Sequence, residues 1–128
     1  MSGSWTGVCT RRQLIPERGV AVLIHELQVA LFRITGVDDA GAETDFVYAV
    51  GHKDPACGAN VMARGIVGSV ITPQGHRDTV ASPMYKDVYD LSTGECLTRP
   101  ELRLPVYRTW VAGGVVYVDV NAPVLASA

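Results

Sequence analysis

The sequence predicts an all-β domain, a sandwich or barrel of small antiparallel sheets with little or no helix. Its apolar residues form short segments, roughly six to ten in number, that Gly, Pro, Asn and Asp residues separate at close spacing. No segment carries a sustained apolar stripe at helical spacing, so any helix is short. With 128 residues, the chain has the usual length of one domain.

The first predicted strands form a hairpin. Val20–Ile24 is a continuous apolar run, which is typical of a strand covered on both faces. Residues 27–34 follow at once as a second strand. The two residues between them, His25 and Glu26, predict a tight turn, although they are not the Gly or Asn that such turns favour.

Shorter strands are predicted in the middle of the chain. Residues 46–50 form an apolar run, and segments 65–68, 79–81 and 88–91 are further candidates. Residues 100–103 are a candidate for a single helical turn. Because each segment is only a few residues long, the pattern again favours small sheets.

The last predicted element is the clearest hairpin. Residues 106–111 and 115–120 flank a Gly-Gly pair, which is suited to the positive φ angles of a tight turn. Residues 121–128 are small, and we expect them to form a disordered tail. The predicted organisation is therefore a single domain over residues 1–120.

Charge and apolar patterning exclude several classes of protein. The 11 basic and 13 acidic residues give a net charge of −2, which argues against a nucleic-acid partner. No apolar stretch approaches the ~20 residues of a membrane helix, and the first residues lack the pattern of a signal peptide. We therefore expect a cytoplasmic protein with no membrane partner.

The number and spacing of the cysteines are also consistent with a cytoplasmic protein. Cys9, Cys57 and Cys96 are odd in number and far apart, so they can build neither a disulfide framework nor a four-Cys zinc site. We expect free and mostly buried thiols in a reducing environment.

No residue pattern predicts catalysis. His52, Asp54 and His76 could supply the two imidazoles and one carboxylate of a non-haem iron site, but nothing in the sequence brings His76 close. Ser82 lacks the nucleophile elbow of a hydrolase. Nothing marks Cys57 as a thiol with a lowered pKa. The prediction is that the chain has no catalytic residue.

Two segments are similar to the cluster-binding loops of a Rieske domain. Residues 54–61 resemble the pattern C-P-H-x-G-A-x-L, and residues 82–97 resemble C-P-W/Y-H-G-x-x-F-D-x-x-T-G-x-C. A Rieske cluster needs two Cys and two His ligands, and all four are replaced. The four degenerate positions are Asp54, Ala56, Ser82 and Tyr85. The resemblance implies a Rieske-like fold that binds no iron–sulfur cluster, no other cofactor and no metal.

The order of several segments resembles one family, the small subunit of assimilatory NAD(P)H-dependent nitrite reductase. The matching segments are residues 15–23, 28–32, 48–55, 64–68 and 81–86. The resemblance implies a large catalytic subunit as partner, which holds FAD, an iron–sulfur cluster and sirohaem and reduces nitrite to ammonium. This chain would then be a non-catalytic subunit. The alternatives are an independent electron-transfer protein of the Rieske ferredoxin type with substitute metal ligands, and a free-standing module for a small anion or peptide.

The same resemblance places a group of residues around the emptied cluster position. The candidates are His52, Lys53, Met84, Tyr85 and Lys86. Two roles are open for them. They contact the partner, since Tyr and Met are enriched at interfaces, or they fill the space left by the cluster, since protein interiors are close-packed.

Overall fold

The computed structural model describes residues 5–124, and the side chains of residues 5–120. This part of the chain holds nine strands, two short 3-10 turns and no α-helix, and none of its helical turns is long and apolar enough to cross a membrane. The strands are β1 (Trp5–Thr10), β2 (Val20–Ile24), β3 (Leu27–Val37), β4 (Glu43–Gly51), β5 (Ile66–Thr72), β6 (Gly75–Ala81), β7 (Val88–Asp90), β8 (Val106–Ala112) and β9 (Val115–Val124). The 3-10 turns are Arg11–Gln13 and Met62–Arg64. The predicted all-β fold is confirmed.

Six strands form one antiparallel sheet in the order β1-β9-β8-β4-β3-β2. The sheet curls until its two edge strands, β1 and β2, come into contact, which makes a nearly closed barrel. One apolar cluster fills the inside. Its buried members are Leu14, Ile24, Val29, Leu31, Ala49, Tyr107, Val116 and Val118.

A second sheet, in the order β5-β6-β7, shares a further apolar core with strands β3, β4 and β8 of the barrel. The buried members of this core are Ala30, Phe32, Ile34, Val50, Met62, Val80, Tyr89, Leu91, Cys96, Leu104 and Val106. Successive side chains of a strand point to opposite faces, so β3 contributes alternate residues to both cores. Strand β3 is therefore the strand that is covered by a core on both of its faces. The prediction of that role for Val20–Ile24 is wrong, because β2 lies at the edge of its sheet and exposes Ala21 and Leu23.

Both predicted hairpin turns are present. His25 and Glu26 have φ angles of 49° and 71°, and Gly113 and Gly114 have 59° and 78°. Each turn thus needs two residues in the left-handed region, as tight hairpin turns do. Glycine adopts this conformation freely, whereas a residue with a side chain is strained in it.

Other boundaries differ from the prediction. Strand β1 was not predicted, and β5 and β6 are longer than the segments predicted there because they continue into one hairpin. Strand β9 runs to Val124, which pairs with Val106, so it includes the first part of the expected tail. Residues 125–128 of that tail lie outside the described residues. The expected helical turn near residue 100 is a single hydrogen-bonded turn, in which the Leu102 N–H donates to the Arg99 carbonyl at 3.0 Å.

Candidate functional site

Two neighbouring loops carry the four degenerate positions. Loop 1 is residues 52–61, which follow β4, and loop 2 is residues 82–87, which join β6 to β7. Loop 1 is closed at its base by a hydrogen bond of 3.0 Å from Val61 N–H to the His52 carbonyl. Two further backbone hydrogen bonds of 2.8 Å, from Asp54 N–H to the Ala59 carbonyl and from Gly58 N–H to the Asp54 carbonyl, hold its inner turn. Gly58 has a φ of 79°, so glycine is the residue that fits this bend.

Loop 2 is a tight turn that is closed by two backbone hydrogen bonds of its first residue, Ser82. The Ser82 N–H donates to the Asp87 carbonyl at 2.9 Å, and the Lys86 N–H donates to the Ser82 carbonyl at 3.0 Å. Lys86 has a φ of 63° at the position where the Rieske pattern has glycine. The loop therefore keeps a left-handed backbone at this position although a side chain is strained there.

Two of the four degenerate positions are in direct contact. Asp54 and Ser82 are 0% and 1% exposed, and the Ser82 hydroxyl donates a hydrogen bond to Asp54 Oδ2. The other carboxylate oxygen of Asp54 accepts from the Ala56 N–H at 2.8 Å. Tyr85, by contrast, is 61% exposed. The contact links the two loops at the positions where the pattern has its cysteines.

The donor set does not fit a [2Fe–2S] cluster. A Rieske cluster is bound by two thiolates and two imidazoles, whereas these positions offer a carboxylate, a methyl group, a hydroxyl and a phenol. Within the described residues, no group of three or more His, Cys, Asp or Glu residues is placed to hold a metal ion. The histidine that the alternative iron site required, His76, pairs instead with Asp78 on its own strand at 2.8 Å.

The free thiols are less buried than predicted. Of the three, only Cys96 is buried, while Cys9 is half-buried and Cys57 is exposed in loop 1. The prediction of mostly buried thiols is therefore wrong. In loop 1 both Cys57 and its neighbour Gly58 are exposed.

His52, the first residue of loop 1, is buried. Its Nδ1 accepts a hydrogen bond from the Ala63 N–H at 3.1 Å. Burial lowers the pKa of His52, and the nearby charge of Arg64 lowers it further. A neutral imidazole is what this acceptor role requires, so His52 supports the loop rather than lying on its surface.

The remaining candidate residues are exposed, Lys53 on loop 1 and Met84, Tyr85 and Lys86 on loop 2, and we call these four residues the loop tip. Met84 is 51% exposed and Tyr85 is 61% exposed. This exposure favours the interface role over the cavity plug, and both roles stay predictions.

An ion pair between the partly exposed Arg99 and the buried Asp87 clamps the base of loop 2. The Arg99 guanidinium donates to the buried Asp87 carboxylate from Nε at 3.1 Å, and the Thr98 hydroxyl donates to Asp87 Oδ1 at 2.9 Å. The hydrogen bonds from Arg99 lower the pKa of Asp87 more than burial raises it. Since the Asp87 carbonyl also accepts from Ser82 N–H, the clamp holds both ends of the loop.

This clamp predicts an acid-dependent contribution to stability. The folded-state pKa of Asp87 is lowered, so its contribution is present above the unfolded-state value of about 3.9 and is lost as pH falls through the folded-state value. We expect Asp87→Asn to lower the melting temperature at pH 7, and the gap to the parent protein to shrink near pH ~3. Thermal denaturation of both proteins across this range measures the gap.

Asp39→Asn, at an exposed position, is the control for the general loss of an acidic charge. A gap between Asp87→Asn and the parent that stays constant from pH 7 to pH ~3 would contradict the prediction.

Two features of the site were missed by sequence reasoning. One is the direct contact between Asp54 and Ser82, which are 28 residues apart, and the other is the pairing of Asp87 with Arg99, which are 12 apart. The sequence pattern marks Asp54 and Ser82 as degenerate ligand positions but does not predict a hydrogen bond between them, and it does not mark Asp87 or Arg99. Only the packing of the loops brings the partners together.

The curled barrel, its covering sheet and the two loops define a Rieske-like domain. In agreement, the family model of the Rieske-like [2Fe-2S] domain matches residues 4–119. The nitrite reductase (NADH) small subunit of Escherichia coli strain K12 is 32% identical over 112 residues, which are 88% of this chain and 94% of that protein. The chain belongs to the family of nitrite reductase (NADH) small subunits.

Two further similarities bear on this family. A crystal structure from Mycobacterium tuberculosis, reported as a candidate NADH-dependent nitrite reductase small subunit, has 40% identity and a TM-score of 0.74, and the match covers 99% of this chain and 100% of that one. The nitrite reductase [NAD(P)H] large subunit of Klebsiella oxytoca is 30% identical over 127 residues, which are 99% of this chain but 12% of that protein. The same domain thus occurs both as a separate chain and within a large subunit.

Proposed function

We propose that this chain is a non-catalytic small subunit of an NAD(P)H-dependent nitrite reductase and acts by associating with the large catalytic subunit. The observation that carries the proposal is the match of nearly the whole chain to a segment of the Klebsiella oxytoca large subunit. A domain that is separate in some organisms and joined to the large chain in another is expected to work beside that chain in both. The reaction would be the reduction of nitrite to ammonium in cytoplasmic nitrite assimilation.

In this proposal the redox cofactors belong to the partner. FAD, an iron–sulfur cluster and sirohaem would reside in the large subunit, and this chain would hold no cluster. The absence of thiolate and imidazole donors at Asp54, Ala56, Ser82 and Tyr85 supports this division of roles. The same donor set argues against an independent electron-transfer protein with substitute ligands.

The loop tip is the proposed contact surface. Met84 and Tyr85 are exposed residues of the types that are enriched at protein interfaces. Two exposed lysines, Lys53 on loop 1 and Lys86 on loop 2, add positive charge to the loops. The acidic residues of the two loops, Asp54 and Asp87, are buried, so they do not offset this charge at the surface. The tip therefore fits an apolar surface with an acidic rim on the large subunit.

Co-expression with a large subunit tests the proposal. We expect the two chains to elute together in size-exclusion chromatography, and Tyr85→Ala combined with Lys86→Glu to weaken their association by about 30-fold or more. The matched control is Ile71→Ser, which replaces a side chain that is 88% exposed on the β5–β6 hairpin.

Three outcomes would overturn parts of the proposal. Separate elution of the parent chains would overturn the subunit role. Loss of association in Ile71→Ser but not in the tip variant would overturn the assignment of the surface. A visible iron–sulfur spectrum after anaerobic incubation of the parent chain with iron and sulfide would overturn the cluster-free role.

A further inference from the structure

We propose that the buried Asp54–Ser82 pair is a positioning device that fastens loop 1 to loop 2 and holds the loop tip in shape. In a cluster-bearing Rieske domain the ligands come from both loops, so the metal ties the loops together. In this chain the same two backbone positions are tied by a hydrogen bond instead. The inference rests on the proposed function where it concerns the role of the tip in docking.

The pair belongs to a continuous chain of hydrogen bonds. In loop 1, the Ala56 N–H donates to Asp54 Oδ1 at 2.8 Å. The Ser82 hydroxyl then donates to Asp54 Oδ2, and the same hydroxyl oxygen accepts from the Met84 N–H at 3.2 Å in loop 2. The backbone of one loop is thereby connected to the backbone of the other through two buried side chains.

Burial makes this connection strong. Exclusion of water strengthens a hydrogen bond between polar side chains. Among the described residues, the Ser82–Asp54 contact is the one hydrogen bond that joins the two loops. Removal of the Ser82 hydroxyl would leave a buried carboxylate oxygen without its donor, which is unfavourable. Both loops should therefore loosen together.

The backbone around the pair bends at the glycine positions of the Rieske pattern. The Lys86 φ of 63° is the clearest sign, because the backbone is left-handed at the pattern's glycine position without the residue that favours it. The Gly58 bend of loop 1 is also present. These bends are present although the four ligands and the glycine at position 86 have been replaced, so we expect that restoring the ligands restores the cluster site.

Amide hydrogen exchange of the full chain tests the fastening role. We expect Ser82→Ala to speed exchange by about tenfold in loop 1 and loop 2 alike. The matched control is Ser92→Ala, because the Ser92 hydroxyl also donates to a buried carboxylate, Asp90 at 2.7 Å, but joins residues only two apart. This control should speed exchange near residues 90–94 and leave loops 1 and 2 unchanged.

The outcomes separate this inference from the proposed function. Acceleration in loop 2 alone, or in neither loop, would overturn the fastening role. If Ser82→Ala does not fold, Asp54→Asn replaces it, and a smaller acceleration in both loops is expected, whereas acceleration in loop 1 alone overturns the inference. Because exchange is measured on the chain without its partner, a variant with faster exchange in both loops that still binds the large subunit at parental affinity would count against the docking surface and leave the fastening role intact.

A second variant tests whether the backbone of the two loops can still hold a cluster. It combines Asp54→Cys, Ala56→His, Ser82→Cys and Tyr85→His and is reconstituted anaerobically with ferrous iron and sulfide. We expect the visible absorption of a [2Fe–2S] cluster and slow exchange in both loops, as in the parent chain. A colourless product would overturn the claim that the hydrogen-bonded pair and a cluster connect the same two loops. A loaded cluster in a variant whose loops exchange rapidly would also overturn it.

Discussion

Replacement of Gly94 by alanine is expected to destabilise the fold by about 3 to 5 kcal/mol. Gly94 has a φ of 80°, where a side chain is strained. A Cβ at this position would also lie 2.0 Å from the Leu104 carbonyl oxygen. The two backbones cannot separate easily, since the Leu104 N–H donates to the Gly94 carbonyl at 2.9 Å. Urea denaturation measures the loss.

Gly58→Ala is the matched control for this variant. Gly58 has nearly the same φ, 79°, but no atom within 4 Å of the position that a Cβ would take. Only the backbone strain applies there, so the expected loss is about 1 kcal/mol. Equal losses at the two positions would show that the close approach to Leu104 is not the source of the effect.

Replacement of Asp90 by alanine is expected to cost about 3 kcal/mol. The Asp90 side chain is buried, and its Oδ1 accepts hydrogen bonds from the Ser92 N–H and hydroxyl, both at 2.7 Å, and from the Thr93 N–H at 3.1 Å. Its Oδ2 forms an ion pair with Arg77 Nε at 2.8 Å. Alanine would leave the turn without its acceptor and the guanidinium without this partner. The free energy of unfolding in urea is the measurement.

The chain offers a matched control in Asp38. Its Oδ1 accepts from the Ala40 and Ala42 N–H groups at 2.9 Å, so it organises a turn as Asp90 does, but it is exposed and not in a buried ion pair. We expect Asp38→Ala to cost about 1 kcal/mol or less. If it costs as much as Asp90→Ala, burial and the ion pair with Arg77 do not explain the effect.

The fold class was predictable because alternation and turn residues are local signals. The apolar run at Val20–Ile24 and the Gly-Gly pair near the end of the chain each specify an element without reference to distant residues. Strand β1 was missed because residues 5–10 carry no clear alternation, and pairing with β9 is what makes them a strand. Propensity is a weak guide where a distant partner decides the conformation.

The candidate site was predictable only in part. The four degenerate positions follow from the sequence, because loop-shaping residues such as Pro55, Gly58 and Pro83 keep the pattern aligned. The direct contact of Asp54 with Ser82 does not follow, and neither does the burial of His52 beside an exposed Tyr85. These depend on how two separate loops pack against each other.

The sequence by itself determined three things about this protein: an all-β fold, a Rieske-like pair of loops, and the identity of the side chains at the four ligand positions. Each depends on residues close together in the chain. The tertiary structure decided what those side chains do. It placed a carboxylate and a hydroxyl from segments 28 residues apart in one buried hydrogen bond and left Met84 and Tyr85 on the surface. Burial and contact depend on the packing of distant segments, and a local sequence pattern does not specify that packing.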